Sequence, residues 1–247
     1  MEPATNLAEA NRRFYDPLWT DAKLMEPERF KTWALVRSLC APSRARLEVG
    51  PGLRPRLPIE GTHFVDVSVP AVTKLRARGA NAVVGHASAL PFPDGAFDLV
   101  CAFDLLEHVD DDGGVLAELA RVAAPCAALL LSAPLHPSHW TAFDDLVGHA
   151  RRYEPERLLG GLAGHGFAVE QSAVYGMKPE SPALVEFGMW CLTRWREPAM
   201  WWYSHVFLPL ALRFQARLVL VPGVIETGNV DEILLACRKG EGPEEER

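Results

Sequence analysis

The chain has 247 residues and a formal net charge of −7, and its composition is 49% hydrophobic and 23% charged. This composition is typical of a folded protein and excludes a disordered one. The length predicts one core domain with an addition to it. The acidic surplus argues against broad nucleic-acid binding, which needs a basic surface.

The five cysteines are all more than four residues apart, so the spacing of a zinc site or a redox CxxC motif does not occur. Their odd number predicts reduced thiols rather than a disulfide framework. The first residues do not combine a basic stretch with an apolar run, so no secretory signal is predicted. We therefore expect a cytoplasmic protein.

Residues 28–40 carry apolar side chains at helical spacing between Pro27 and Pro42, which predicts a helix. From residue 45 onward, short apolar runs alternate with helical segments. This alternation predicts a Rossmann-like α/β fold, with a mostly parallel sheet and helices on both faces. The predicted strands are 45–49, 62–67, 82–85, 97–103, 126–133, 167–175 and 232–238, and the predicted helices are 69–78, 111–124 and 154–165.

Ligands of an open parallel sheet bind at the carboxyl ends of its strands. Gly50 and Gly52 follow the first strand, where glycine lets the backbone approach a ligand closely. Asp66 ends the second strand, where a carboxylate suits a ribose diol. The two glycines alone indicate no more than a turn, but together with Asp66 they indicate a nucleoside ligand.

The motifs LEVGPG, VDVS, ALPFPDGAFDLV and LLEHV follow one another along the chain. Their succession over residues 45–175 resembles the class I S-adenosylmethionine-dependent methyltransferases that act on small molecules. The resemblance implies a seven-stranded sheet with an antiparallel last strand, and S-adenosylmethionine as cofactor. The resemblance indicates Glu48, Gly50, Gly52, Asp66 and residues 86–88 as cofactor contacts. The full set of candidate cofactor-binding positions is Glu48, Gly50, Pro51, Gly52, Arg54, Asp66, Val67, Ser68, His86, Ala87, Ser88 and Phe103.

The sequence departs from the family pattern in three places. Arg54 stands where the family has a third glycine, and His86 stands where it has an acid. Only residues 50–61, with three prolines, join the first two strands, so we expect the first crossover helix to be short or absent. Arg54 and Arg56 either pair with the carboxylate of the cofactor or are solvated loop charges.

Methyl transfer to a hydroxyl or an ammonium needs a base, and histidine is suited to neutral pH. His136 and His139 follow the fifth strand, where an acceptor would approach, and His108 follows the fourth. The alternative for His108 is to brace the next helix. His149 is interpreted as a loop residue with a hydrogen-bonding role, and no metal site is predicted.

Residues 178–228 form an insertion between the last two strands that contains four of the seven tryptophans. It leaves the sheet at the edge where the cofactor would bind. Three interpretations stay open: a packed lid helix, which is favoured, a homodimer interface, or a membrane-surface contact for a lipid-like acceptor. Its uncharged part, residues 198–212, is too short to span a bilayer, which needs about 20 residues.

These features predict a methyltransferase for a hydroxyl or amine of a small apolar organic acceptor. A degenerate relative that binds cofactor or a protein without catalysis is the alternative. A nicotinamide-dependent dehydrogenase is disfavoured because GPGLRP lacks the GxGxxG spacing.

The predicted organisation is an N-terminal helical segment (1–44), the cofactor-binding core (45–177 and 229–239), the insertion (178–228) and an acidic tail (240–247).

Overall fold

The computed structural model describes residues 7–176, 187, 188, 190, 191 and 193–241. Its centre is one eight-stranded sheet, in agreement with the predicted fold class. The strands are β1 (Arg46–Val49), β2 (Thr62–Asp66), β3 (Asn81–Val84), β4 (Phe97–Ala102), β5 (Ala123–Pro134), β6 (Phe167–Val174), β7 (Val221–Pro222) and β8 (Glu232–Lys239).

The strand order is β3-β2-β1-β4-β5-β8-β6-β7. Strands β1 to β5 pair in parallel, and β8 lies antiparallel between β5 and β6. The antiparallel last strand agrees with the resemblance. The count of seven strands was one too low, because the two-residue β7 within the insertion adds to the edge of β6.

Helices cover both faces of the sheet. Leu119 and Leu162 pack with Leu129 on one face, and Val36 packs with Leu130 on the other. The helices are α1 (Leu7–Asp21), α2 (Trp33–Cys40), α3 (Val69–Ala77), α4 (Asp112–Val122), α5 (Ala142–Val147), α6 (Pro155–Gly164), α7 (Arg196–Trp202) and α8 (Leu208–Phe214), with a π-helix (Tyr203–Phe207) joining the last two.

The chain makes the first crossover without a helix, as its length predicts. Residues 50–61 form turns, bends and irregular loop. Glu48, at the end of β1, accepts hydrogen bonds of 2.9–3.0 Å from the backbone amides of Arg56 and Leu57. One buried carboxylate therefore holds the connection in place of the helix.

The N-terminal segment contains a helix that the sequence pattern did not indicate. In α1, Leu18 and Trp19 pack against Leu53 and against Ala71 of α3. The helix predicted over 28–40 begins only at Trp33, after a short 3₁₀ turn. Residues 1–6, 177–186 and 242–247 of the predicted organisation lie outside the described residues.

Within the described ranges, no helix is both long enough and apolar enough to cross a membrane.

Candidate cofactor and acceptor site

A cavity of about 1060 Å³ opens at the carboxyl ends of β1, β2 and β4. Small-molecule pockets usually measure about 300–1,000 Å³, so this cavity has room for a cofactor and an acceptor together. The twelve predicted cofactor-binding residues all line it: Glu48, Gly50, Pro51, Gly52, Arg54, Asp66, Val67, Ser68, His86, Ala87, Ser88 and Phe103. Their contact with a cofactor stays a prediction.

Asp66 is held at the end of β2 by backbone amides. Its two carboxylate oxygens accept 2.8 Å hydrogen bonds from the amides of Gly52 and Ser68. Burial nevertheless raises the pKa of Asp66 to about 6. Each oxygen keeps a further lone pair for a ribose hydroxyl.

Trp19 lies directly over the glycine loop. The backbone of Gly52 has a φ of 52°, in the left-handed region that favours glycine. A Cβ at this position would stand 2.4 Å from Cζ2 of Trp19. The indole of Trp19 therefore packs against the glycine loop, which the resemblance predicts to face the cofactor.

The two arginines of the loop have different surroundings. The guanidinium of Arg56 is buried, lies 3.8 Å from the ring centroid of Phe30 and donates to the hydroxyl of Tyr175. Arg54 lies between the rings of Trp19 and Tyr203, 5.3 and 5.2 Å from their centroids. Its Nε is buried and has no hydrogen-bond partner among the described residues. Arg54 is thus the arginine with donor capacity left for a carboxylate.

His136 and His139 lie outside the residues that line the cavity. Nε2 of His136 is 2.8 Å from the carbonyl of Thr227. Nδ1 of His139 is 3.4 Å from the carboxylate of Asp231. The structure does not bring these two histidines to the predicted cofactor face.

His108 lines the cavity but contacts α1 through both ring nitrogens. Nε2 is 3.2 Å from the hydroxyl of Tyr15, and Nδ1 is 3.3 Å from Oδ1 of Asn11. Burial, and to a smaller extent the nearby imidazole of His149, lowers the pKa of His108 to about 3, so the imidazole of His108 is neutral at pH 7. His108 therefore has a bracing role, but it holds α1 rather than the next helix along the chain.

His149 lines the same cavity and is oriented by Asp144. Its Nδ1 lies 2.8 Å from Oδ1 of the fully buried Asp144. Burial opposes ionisation of Asp144, but hydrogen bonds from His149, Arg152 and Thr141 outweigh it and hold its pKa below the usual range. An ionised carboxylate at Nδ1 leaves Nε2 as the proton-accepting nitrogen.

The end of the cavity near β4 and β8 is acidic. Burial and the charge of Asp104 raise the pKa of both Glu107 and Glu232. Oε2 of Glu107 is buried and has no hydrogen-bond partner among the described residues. Atoms of Glu107, His108 and His149 lie within 4.8 Å of one another, a spacing that a metal could use. Both ring nitrogens of His108 are already within hydrogen-bonding distance of Tyr15 and Asn11. Proton transfer therefore suits these three residues better than metal binding does.

The match to known protein families covers part of the chain. Residues 54–131 match the family model described as methyltransferase domain. A demethylmenaquinone methyltransferase from Mycolicibacterium vanbaalenii is 28% identical over 134 residues, which are 53% of this chain and 59% of that protein. Ajmaline N-methyltransferase from Rauvolfia serpentina is 42% identical over 53 residues, 22% of this chain and 18% of that protein. The chain thus matches less than two thirds of the length of either relative.

Two solved structures share the fold over most of this chain. The cyclase SpnF has a TM-score of 0.61 at 20% identity, with 97% of this chain and 99% of that one covered. A phosphoethanolamine N-methyltransferase from Haemonchus contortus, solved with S-adenosylhomocysteine, has a TM-score of 0.59 at 14% identity, with 97% and 62% covered. At these identities the likeness establishes the fold.

The fold and the family match confirm the resemblance. Residues 54–131 match a methyltransferase domain, and the fold around them is the one that the resemblance to the class I enzymes implies. S-adenosylmethionine is the cofactor that this assignment supports, and the site fits it. The carboxylate of Asp66 is the group that would hold the ribose, and Nε of Arg54, unpaired within the described part of the chain, would bind the carboxylate of the methionine part.

Sequence reasoning missed several residues of this cavity. Trp19, Tyr15 and Asn11 come from α1, and Glu107 and His149 come from loops after β4 and α5. The one available signal was Gly148, which has a φ of 74° at the end of α5 and turns the chain back so that His149 faces the cavity.

Proposed function

We propose that the chain transfers a methyl group from S-adenosylmethionine to a hydroxyl or amine of a small apolar organic acceptor. One observation carries the proposal: the predicted cofactor positions line a cavity that continues between the aromatic side chains of the insertion. Phe187, Trp195 and Tyr203 line that continuation. An apolar acceptor is therefore the class that the walls favour.

When bound, S-adenosylmethionine would supply a methyl group on a sulfonium: the lone pair of the acceptor would form the new bond to the methyl carbon, and the carbon–sulfur bond would break to leave S-adenosylhomocysteine. The protein's part is mainly to align the acceptor, since orientation lowers such barriers by up to about 7–11 kcal/mol in ideal cases. Asp66 would hold the ribose and Arg54 the carboxylate of the methionine part, while the aromatic walls would orient the acceptor and exclude water.

A hydroxyl or ammonium acceptor must also lose a proton. The His149–Asp144 pair is the arrangement that supports this step best, because Nδ1 of His149 is engaged by the buried carboxylate. We propose His149 as the base, in place of His136 and His139, which lie outside the cavity lining.

The five cysteines are free thiols in the structure, which supports the proposal of a cytoplasmic, reducing environment.

A second candidate function is a domain that binds the cofactor or a partner without methyl transfer. The position of Trp19 over Gly52, together with the helix-free crossover, favours it.

The two functions differ in whether the protein converts S-adenosylmethionine to S-adenosylhomocysteine. Purified protein is incubated with S-adenosylmethionine and a panel of phenols, hydroxyquinones and amines, and S-adenosylhomocysteine is measured. Acceptor-dependent release supports the methyltransferase, and cofactor binding without release from any member supports the second candidate.

A further inference from the structure

The insertion exposes a run of large apolar side chains, here called the aromatic strip. Each of its members has at least 48% of its surface exposed to solvent. Monomeric soluble proteins rarely expose a continuous apolar area of this kind unless it binds something. The members are Phe187, Trp190, Trp195, Trp201, Trp202, Phe207, Leu210 and Phe214.

The outward direction of the strip is fixed by the packing of α8. Leu208 and Leu212 are buried against Met25 and Phe30 of the N-terminal segment. The residues 207, 210 and 214 stand at helical spacing on the other side, and Phe214 is 80% exposed. A helix on the surface of a globular protein normally turns polar residues outward. This helix is apolar on both sides.

Within the part of the chain that the structure describes, rings of the strip contact one another in pairs. The centroids of Trp190 and Trp195 are 4.9 Å apart, and those of Trp201 and Trp202 are 5.7 Å apart. Trp201 also stacks on His205 at 4.6 Å. The four tryptophans therefore form two groups at the surface, and one member of each group, Trp195 and Trp202, also reaches the cavity.

The charge around the strip has the opposite sign to that of the whole chain. Residues 187–217, which span the strip, contain four arginines (Arg194, Arg196, Arg213 and Arg217) and one acidic residue, the exposed Glu197, so this stretch is net positive. The complete chain has a net charge of −7. Aromatic side chains flanked by arginines on a surface helix suit the interface of an anionic bilayer.

We propose that the aromatic strip binds the surface of an anionic phospholipid bilayer. A two-fold homodimer through the same face would bring the arginines of one copy toward those of the other, which the charge pattern disfavours. Phe187, Trp195, Trp202 and Phe207 also line the cavity, so a bound bilayer would lie at its mouth. The entry of an acceptor from the lipid rests on the proposed function. The binding of the strip to the bilayer does not.

The test is co-sedimentation of the full chain with vesicles of phosphatidylcholine alone and of phosphatidylcholine mixed with phosphatidylglycerol. The variant is the double substitution Leu210→Ser with Phe214→Ser, at two positions that do not line the cavity. Trp140→Ser is the matched control, since Trp140 is an exposed aromatic residue outside the strip. The thermal unfolding midpoint and the affinity for S-adenosylhomocysteine are measured on all three proteins.

We expect the wild-type protein and Trp140→Ser to pellet with anionic vesicles at least about tenfold more strongly than with neutral ones. High salt should weaken this binding. The double variant should lose about tenfold or more while its unfolding midpoint stays unchanged. Absence of binding to either vesicle overturns the proposal, as does a wild-type dimer that becomes monomeric in the double variant. Vesicle binding without affinity for S-adenosylhomocysteine would overturn only the proposed function.

Discussion

The indole of Trp19 packs so closely on Gly52 that a Cβ at this glycine would stand 2.4 Å from Cζ2 of the indole. This contact joins α1 to the loop that follows β1. It also makes the N-terminal segment part of the candidate cofactor site, although the family match begins only at residue 54.

The contact predicts that Gly52→Ala destabilises the fold. Overpacking of this kind costs about 1–3 kcal/mol of the free energy of unfolding. Gly79→Ala is the matched control, because Gly79 has a φ of 83° but a Cβ there would meet no atom within 4 Å. Chemical denaturation should show the larger loss for Gly52→Ala, and Trp19→Leu should restore part of it. Equal losses for the two glycines would contradict the contact.

Arg54 should recognise the amino-acid end of the cofactor. Arg54→Gln should weaken the binding of S-adenosylhomocysteine by about tenfold, because a charge-assisted hydrogen bond to the carboxylate is lost. The same variant should bind 5′-methylthioadenosine, which lacks that carboxylate, as the wild-type protein does. Calorimetric titration measures both, with the exposed Arg44→Gln as control. An equal loss for both ligands would show that Arg54 only supports the loop.

His149 should act as the base for any acceptor in the panel that is methylated. His149→Gln should lower the rate of S-adenosylhomocysteine release by about 10²-fold or more, as removal of a positioned base does. His139→Gln should keep nearly the wild-type rate, since His139 is outside the cavity lining. A larger effect at His139 than at His149 would restore the assignment drawn from the sequence.

Glu48 should make stability depend on pH. Burial raises its pKa from 4.5 to about 7 against the opposing hydrogen bonds from Leu57 and Arg56. The folded state therefore binds this proton more tightly than the unfolded state, so the contribution to stability is full below about pH 4.5 and is lost as pH rises to about 7. The loss is on the order of 3 kcal/mol. Denaturation of Glu48→Gln across this range should show a flatter profile than the wild type, and identical profiles would contradict the assignment.

The sheet was predictable because each strand is a short apolar run between turn residues. β5 and β8 are buried over most of their length, so their hydrophobic runs stand out in the sequence. The helix-free crossover was also predictable, since residues 50–61 are too few and too rich in proline. The helix α1 was not, because Pro17 interrupts the pattern and its stability comes from burying Leu18 and Trp19.

The candidate base was less predictable than the cofactor positions. The cofactor positions follow strand ends, which the apolar pattern locates. His136 also follows a strand end, but its φ of 57° and the 3₁₀ turn Pro137–His139 direct the chain toward Thr227. His149 reaches the cavity only through the turn at Gly148, a tertiary placement that residue spacing does not encode.

The most direct test of the account is calorimetric titration of the chain with S-adenosylmethionine and with S-adenosylhomocysteine, with NAD as control. The account predicts micromolar binding of both adenosyl compounds and none of NAD. Asp66→Ala should weaken that binding by about tenfold or more, because it removes the carboxylate that faces the ribose and holds Gly52. Absence of binding at millimolar concentrations of either adenosyl compound would contradict the account.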